Sequence, residues 1–307
     1  MADKTKIPTA DLWSQWLLHG RYANDAQFEQ VVRASVDRYV ERLLDGARLA
    51  AGQTLVDVGT GDGHVAFRAI ERVGPTLRVW LTDISEPMLL QAERRATERG
   101  VRGQCTFRRC PADRLEGIAD ASVEVVVTRS VLAYVVDKPA ALREFHRVLK
   151  PGGRISLAEP VYQDDALAAS ALRAAIDSAS PQGLNPLTVL LHRWKAAQFP
   201  DTEEKILNSP LANYSERDMI RFAQSAGFAE VHLELHIDTL PSIVRSWEVF
   251  IDSSPHPLAP PLRTIMAEQF TAAERQLFER SMRPMVEDPK ALATDRMLYL
   301  TATKPPA

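Results

Sequence analysis

The stretch Leu55-Val-Asp-Val-Gly-Thr-Gly-Asp-Gly-His64 decides the fold of this 307-residue chain. A short apolar run ends in alternate glycines, and an amphipathic segment follows at once. Strand, tight turn and helix in that order form the first half of a βαβ unit. Gly59, Gly61 and Gly63 remove side chains, so a ligand can approach backbone N–H groups at the head of the helix. Asp83 stands 20 residues after Gly63, at the end of the next apolar run. A carboxylate there can accept hydrogen bonds from both hydroxyls of a ribose.

Outward from this motif, five apolar runs alternate with amphipathic stretches: Leu55–Val58, Arg78–Thr82, Cys105–Arg109, Val123–Thr128 and Arg154–Glu159. Val123-Glu-Val-Val-Val is nearly continuous and β-branched, as a strand covered on both faces would be. Ser85-Glu86-Pro87 and Asp137-Lys138-Pro139 are capped helix starts with proline in the first turn. Lys150-Pro-Gly-Gly153 turns the chain into the fifth strand. Strands alternating with helices imply a parallel sheet with right-handed crossovers, an α/β fold. Two late strands are expected at Val231–Ile237 and Arg296–Ala302, and an amphipathic helix around Leu262–Phe278.

The expected plan is a helical arm or lid over residues 1–50 and a cofactor-binding core over 51–160. A helical cap over 161–214 and a core helix and strand over 215–238 follow. A helical insertion over 239–294 and a final strand and tail over 295–307 complete it. The arm carries Trp13, Trp16, His19 and Tyr22 three apart, a stripe that reads as packing before pocket, and the insertion carries Met266, Met282 and Met285, which suit an enclosed apolar site where they are not simply core.

The ligand follows from charge. A dinucleotide site sets a pyrophosphate over the helix N-terminus, usually with Gly or Ala at the sixth position of its pattern. Here that position is His64, Asp62 would repel a pyrophosphate, and Asp57 adds a second carboxylate. A ligand bearing an ammonium and a sulfonium tolerates those acids, and S-adenosyl-L-methionine (SAM) fits that description.

From about Thr54 to Pro160 the chain resembles the class I SAM-dependent methyltransferases, in the branch similar to the ubiquinone/menaquinone C-methyltransferases. The resemblance rests on Val56-Asp-Val-Gly-Thr-Gly-Asp-Gly, Thr82-Asp-Ile-Ser, Thr128-Arg-Ser-Val-Leu and Arg143-Glu-Phe-His-Arg-Val-Leu-Lys-Pro-Gly-Gly, in the family's order. It implies a Rossmann-like, seven-stranded, mostly parallel sheet with helices on both faces and an antiparallel last strand. It also implies that Gly59, Thr60, Gly61 and Gly63 underlie the methionine part, with Asp57 beside them. Asp83 would hold the ribose, Ile84 and Met88 would flank the adenine, and Arg129 and Ser130 would line the floor after the fourth strand. Ala112 would offer its backbone to the adenine edge. The family's Asp-Ala pair is replaced by Pro111-Ala112-Asp113, which leaves Asp113 to contact the adenine amino group. A frequent histidine of the fourth-strand loop is Tyr134 here.

These readings point to methyl transfer onto a small, natural-product-like acceptor at oxygen or nitrogen, with carbon as a further option. The candidates for catalysis are His19, Tyr22, Tyr134 and Glu159, because the arm, the fourth-strand loop and the fifth-strand end should converge above the methyl group. His19 is the preferred base, since an imidazole titrates near neutral pH. Arg21 is a candidate partner of the methionine carboxylate. Two rivals share the glycine turn and Asp83: a nicotinamide-dependent oxidoreductase, and a non-catalytic SAM-binding regulator.

Composition narrows the classes. With 37 Lys+Arg against 40 Asp+Glu, the net charge of −3 leaves no electrostatic footprint for nucleic acid. Hydrophobic residues at 45% exclude a chain disordered throughout. No run approaches the ~20 apolar residues of a membrane span, and Met1-Ala-Asp-Lys-Thr-Lys leads into no apolar signal core, so a soluble cytoplasmic protein is expected. Cys105 and Cys110 are five apart and should point to opposite faces, which excludes a shared metal. His232, Glu234 and His236 share a strand face, but the histidine Cα atoms would lie ~13 Å apart, too far for one ion. They read as a solvated face, with Val231, Leu233, Leu235 and Ile237 on the buried side. The sequence leaves the oligomeric state open.

Overall fold

A computed structural model of the chain describes residues 11–180 and 183–306. The first ten residues of the expected arm therefore lie outside the described residues. Seven strands form one sheet: β1 (Thr54–Val58), β2 (Arg78–Asp83), β3 (Cys105–Arg109), β4 (Val123–Arg129), β5 (Leu149–Pro160), β6 (Ala229–Pro241) and β7 (Leu292–Thr303). Their order is β3-β2-β1-β4-β5-β7-β6, with β7 antiparallel to both neighbours and every other pairing parallel. The order reverses between β1 and β4, and a crevice opens outside the carboxyl ends of strands at such a switch point. β5 begins at Leu149 instead of the expected Arg154, because Leu149 pairs with Val123 across a register shift and Gly152 donates to the Lys304 carbonyl.

Three helices cover one face of the sheet: α2 (Ala26–Ala47), α3 (His64–Val73) and α4 (Glu86–Glu98). The other face carries α5 (Lys138–Val148) and α9 (Glu216–Ser225). The apolar runs serve both: Leu55, Val125 and Val127 face α2 and α3, while Val56, Val126 and Ile155 face α5 and α9. Cys105 and Cys110 are buried on opposite faces as free thiols, and burial pushes each up to about 11.

The arm divides in two. α1 (Leu12–Leu18), capped by Asp11, and the short turn Gly20–Tyr22 lie over the crevice as a cover, and the first half of α2, from Phe28 to Tyr39, lines it as well. α2 is a core helix whose Val40, Leu43 and Leu44 are buried against the sheet, and the Leu43 carbonyl accepts from the Ser156 hydroxyl at 2.7 Å. The caps build a separate small core from α7 (Pro186–Gln198), α10 (Trp247–Asp252), α11 (Leu262–Gln269) and α12 (Ala272–Val286). α6 (Gln163–Ser178) and α8 (Glu203–Asn208) complete the first cap. The single helix expected at Leu262–Phe278 is two helices, because Thr271 and Glu274 form a capping box that starts a new one.

Two expectations about packing fail. Val231 and Leu233 pack on the core, but Leu235 and Ile237 are 38% and 57% exposed. β6 is an edge strand that runs on past the core its start packs against. On its other side Glu234 accepts hydrogen bonds from His232 (3.2 Å) and His236 (2.9 Å), and it pairs with Arg42 of α2. Those contacts hold Glu234 down to about 2, so the face is a hydrogen-bonded cluster around one carboxylate that also pairs with Arg42. Among the described residues no three His, Cys, Asp or Glu side chains stand together as a metal site. Met266 belongs to the cap core, Met282 packs against it, and Met285 is exposed; none of them lines the cavity described next.

Candidate cofactor and acceptor site

A cavity of about 780 Å³ opens at the carboxyl ends of β1, β2 and β4 and continues beneath α1 into the caps. Its first end is the glycine turn. The Thr60 amide donates to the Thr82 carbonyl at 2.9 Å, and the Gly63 amide closes the turn on the Thr60 carbonyl at 3.0 Å. A Cβ on Gly59 would lie 2.3 Å from Val131, and one on Gly63 would lie 2.4 Å from the Phe67 ring. Those two glycines make room for protein. At Gly61 the nearest atom is Leu17 Cδ1 at 3.7 Å, so this glycine alone of the three faces open ligand space.

Asp57 does not line the cavity. Its Oδ2 accepts from the Thr60 hydroxyl at 2.7 Å and from the Ala66 amide at 3.2 Å, so it braces the turn from beneath. Burial pushes its carboxyl up to about 7. Asp83 is at the surface of the cavity, accepting from the Gly61 amide at 2.9 Å and the Ser85 amide at 2.9 Å. Burial raises its pKa, and the two backbone donors oppose the rise. Ile84 and Met88 follow it along the wall. Ile84 is 44% exposed, an apolar side chain left uncovered at the end where a base would lie. Ala112 and Asp113 line the same end, tied to β2 by the Cys110 amide on the Asp83 carbonyl at 3.1 Å.

Asp62 lines the cavity too, but it is neutralised. Burial would raise its pKa, yet Arg95 and Arg33 hold it below the usual carboxylate range, with Arg33 at 2.9 Å. The repulsion of a pyrophosphate expected from Asp62 therefore loses its force. Arg33 sits on α2, 29 residues upstream, and no spacing rule links the two.

The floor after β4 holds Arg129 and Ser130, both on the cavity wall. Ser130 has φ +57, a costly conformation for a residue with a Cβ. Glu159 explains how it is kept: fully buried, its carboxylate accepts from the Val131 amide at 2.9 Å and the Ala133 amide at 3.4 Å, clamping the loop. Burial pushes Glu159 up to about 7. It does not line the cavity, so its role is to shape this loop, and it is withdrawn as a base. His19 is also withdrawn. It ends α1 on an exposed side and lies off the cavity, because the helix stops at Leu18 and the three-residue stripe breaks there. Tyr22 and Tyr134 do line the cavity, Tyr134 edge-on to Trp13 at 5.0 Å and with its hydroxyl 3.4 Å from that of Tyr162.

Arg129 is buried, its Nε has no hydrogen-bond partner among the described residues, and burial followed by the nearby charge of Arg21 depresses its pKa. Arg21 stacks over Trp16 and Tyr22. Neither guanidinium has a carboxylate within ion-pair distance among the described residues. Two like charges face one cavity with no carboxylate in contact, and although the charges of Asp62 and Asp57 reach Arg129, an anion between the two guanidiniums would be favoured.

Comparison with known proteins decides the family. Residues 49–204, half of the chain, match the family model described as Methyltransferase domain. The chain belongs to the methyltransferase domain family. Over 203 residues the chain is 35% identical to nocamycin O-methyltransferase of Saccharothrix syringae, covering 64% of this chain and 66% of that one. It is 35% identical over 113 residues to the ubiquinone/menaquinone biosynthesis C-methyltransferase UbiE of Cupriavidus metallidurans, covering 37% of this chain and 45% of the relative. The matches thus span less than two thirds of these relatives' lengths. The YcgJ protein of Bacillus subtilis shares the fold with a TM-score of 0.56 at 16% identity, covering 88% of this chain and all of that one. The residues present would suit SAM: an arginine pair with no carboxylate in contact, open space at Gly61 and an uncovered Ile84.

The cap end of the cavity was not legible in the sequence. Trp194, Phe199 and Phe250 line it with Tyr162, together with Asp165 and Lys195. These residues come from three separate segments without strand or glycine motifs, and no spacing in the sequence links them.

Proposed function

We propose that this methyltransferase transfers the methyl group of SAM to an oxygen or nitrogen of a small, largely apolar acceptor, with carbon as the alternative atom. The observation that carries the reading is the continuous cavity, with the glycine turn and Asp83 at one end and an aromatic chamber at the other. SAM supplies an electrophilic methyl on a sulfonium. Arg21 and Arg129 would bind the methionine carboxylate, and Asp83 the ribose hydroxyls. Ile84 and Met88 would flank the adenine, with Asp113 at its amino group. Trp13, Tyr22 and Tyr134 present ring surfaces suited to a positive sulfonium. Orientation of the acceptor and exclusion of water under α1 would supply much of the acceleration. Tyr22 and Tyr134 remain as groups that could touch the acceptor's proton.

The near-balanced charge offers no electrostatic footprint for nucleic acid, and two buried free thiols suit a reducing cytoplasm. Among the described residues no helix is long and apolar enough to cross a membrane. The test is incubation with methyl-tritiated SAM and a fractionated extract of small molecules. Labelled product with stoichiometric S-adenosylhomocysteine (SAH) supports the reading. Saturable SAH binding without transfer to any fraction favours the regulator, and binding of NAD in place of SAH favours the oxidoreductase.

A further inference from the structure

Asp165 and Lys195 stand apart from every group assigned so far. Asp165 lies in the first turn of α6 and Lys195 in the last turn of α7, and both line the cap end of the cavity. The walls around them are aromatic: Tyr162, Trp194, Phe199 and Phe250. The Lys195 ammonium lies 4.5 Å from the centre of the Trp194 ring and 5.8 Å from that of Phe199. Neither the Asp165 carboxylate nor the Lys195 ammonium makes a hydrogen bond, or an ion pair within 4 Å, among the described residues. Each feels the other's charge across the gap, and the nearby Arg296 is already paired with Asp164 at 2.7 Å. Burial acts first on both groups, raising the carboxyl and lowering the ammonium, so each is short of partners in its present surroundings.

A half-buried cation and anion that face one chamber without touching leave room for a group that bridges them. The bridging group must accept from an ammonium and donate to a carboxylate. A hydroxyl does both with one oxygen. Aromatic walls complement a flat, apolar body. We infer that Asp165 and Lys195 form the recognition site for a hydroxyl group on an aromatic or polycyclic acceptor, and so set the substrate class of the reaction. This rests on the reading of the protein as a SAM-dependent methyltransferase. It identifies how the acceptor is held and leaves open whether the bridged hydroxyl is the one methylated.

The test uses the full chain loaded with SAH and two probes of one shape, 2-naphthol and 2-methylnaphthalene, followed by ligand-observed NMR titration. In the wild type the hydroxyl should tighten binding about tenfold or more, the scale of a hydrogen bond to a charged group. In Lys195→Met combined with Asp165→Asn, that advantage should fall to within about threefold while 2-methylnaphthalene binds as before. An equal affinity for the two probes in the wild type, an advantage that survives in the variant, or no binding of 2-naphthol would each overturn the inference. Calorimetry with SAH on the same samples separates the two levels. Wild type that binds no SAH sinks the methyltransferase reading itself, whereas tight SAH with no hydroxyl preference sinks only the acceptor site.

Discussion

Asp83 holds the Gly61 and Ser85 amides, one on each oxygen, and still presents its carboxylate to the cavity. Replacement by Ala should weaken SAH by about 1.5–3 kcal/mol, the scale of lost charge-assisted hydrogen bonds. Calorimetry giving wild-type affinity would place the ribose elsewhere. The arginine pair makes a sharper claim. Arg21→Met should lower SAH affinity about tenfold and leave 5′-methylthioadenosine, which lacks the carboxylate, within about twofold; equal losses for both ligands would remove Arg21 from the carboxylate. Glu159 belongs to stability. Folding raises its carboxyl to about 7, so the folded chain binds that proton more tightly than the unfolded one. Its contribution is full below pH ~4.5 and is lost as pH rises through about 7. Urea unfolding should show the wild type losing on the order of 1–3 kcal/mol more than Glu159→Gln between pH 5 and 8. Parallel pH profiles would refute the raised pKa of this buried carboxyl. Residues within one motif, such as Gly61 and Asp83, were legible because spacing along a strand–turn–helix fixes their meeting. Arg33 beside Asp62 was not, since the partners come from different helices and turns with no periodic relation.

Among the elements, α1 is the one with the character of a lid. It is held by Asp11 on the Ser85 hydroxyl (3.1 Å), by Trp16 Nε1 on the Ser254 carbonyl (3.2 Å), and by Trp13 against Tyr134. These tethers reach to both ends of the cavity, so ligand should tighten them. Amide exchange over residues 11–22 should slow on addition of SAH while that of α2 stays unchanged. Exchange in α1 that ignores the ligand would make it a fixed wall. The five parallel strands and their crossover helices could be read directly, because alternating apolar runs and capped helix starts are local signals. The caps could not: α8 and α10 are six residues each, too short to set a period, and Trp247 and Ile251 of α10 are buried by residues of α7, α11 and α12, far away in sequence. The break between α11 and α12 was written in Thr271 and Glu274 all the same. The inner side of β6 misled because alternation marks a face without saying how far its cover extends.

At the scale of the molecule, the sheet order places the glycine turn and the end of β4 side by side at the reversal point, and the three additions close the space above them. The twofold character of the cavity follows: a polar end built on strand termini and an aromatic end built on caps. The family pattern in the sequence reaches only the first end, which is why the cofactor could be named and the acceptor could not. The most direct measurement is a crystal structure of the complex with SAH. The adenine should lie along Ile84, the ribose hydroxyls on Asp83, the carboxylate between Arg21 and Arg129, and the sulfur facing the Tyr134–Tyr162 chamber. Density for SAH with its sulfur turned away from that chamber, or none between Gly61 and Asp83 at saturating ligand, would contradict this placement.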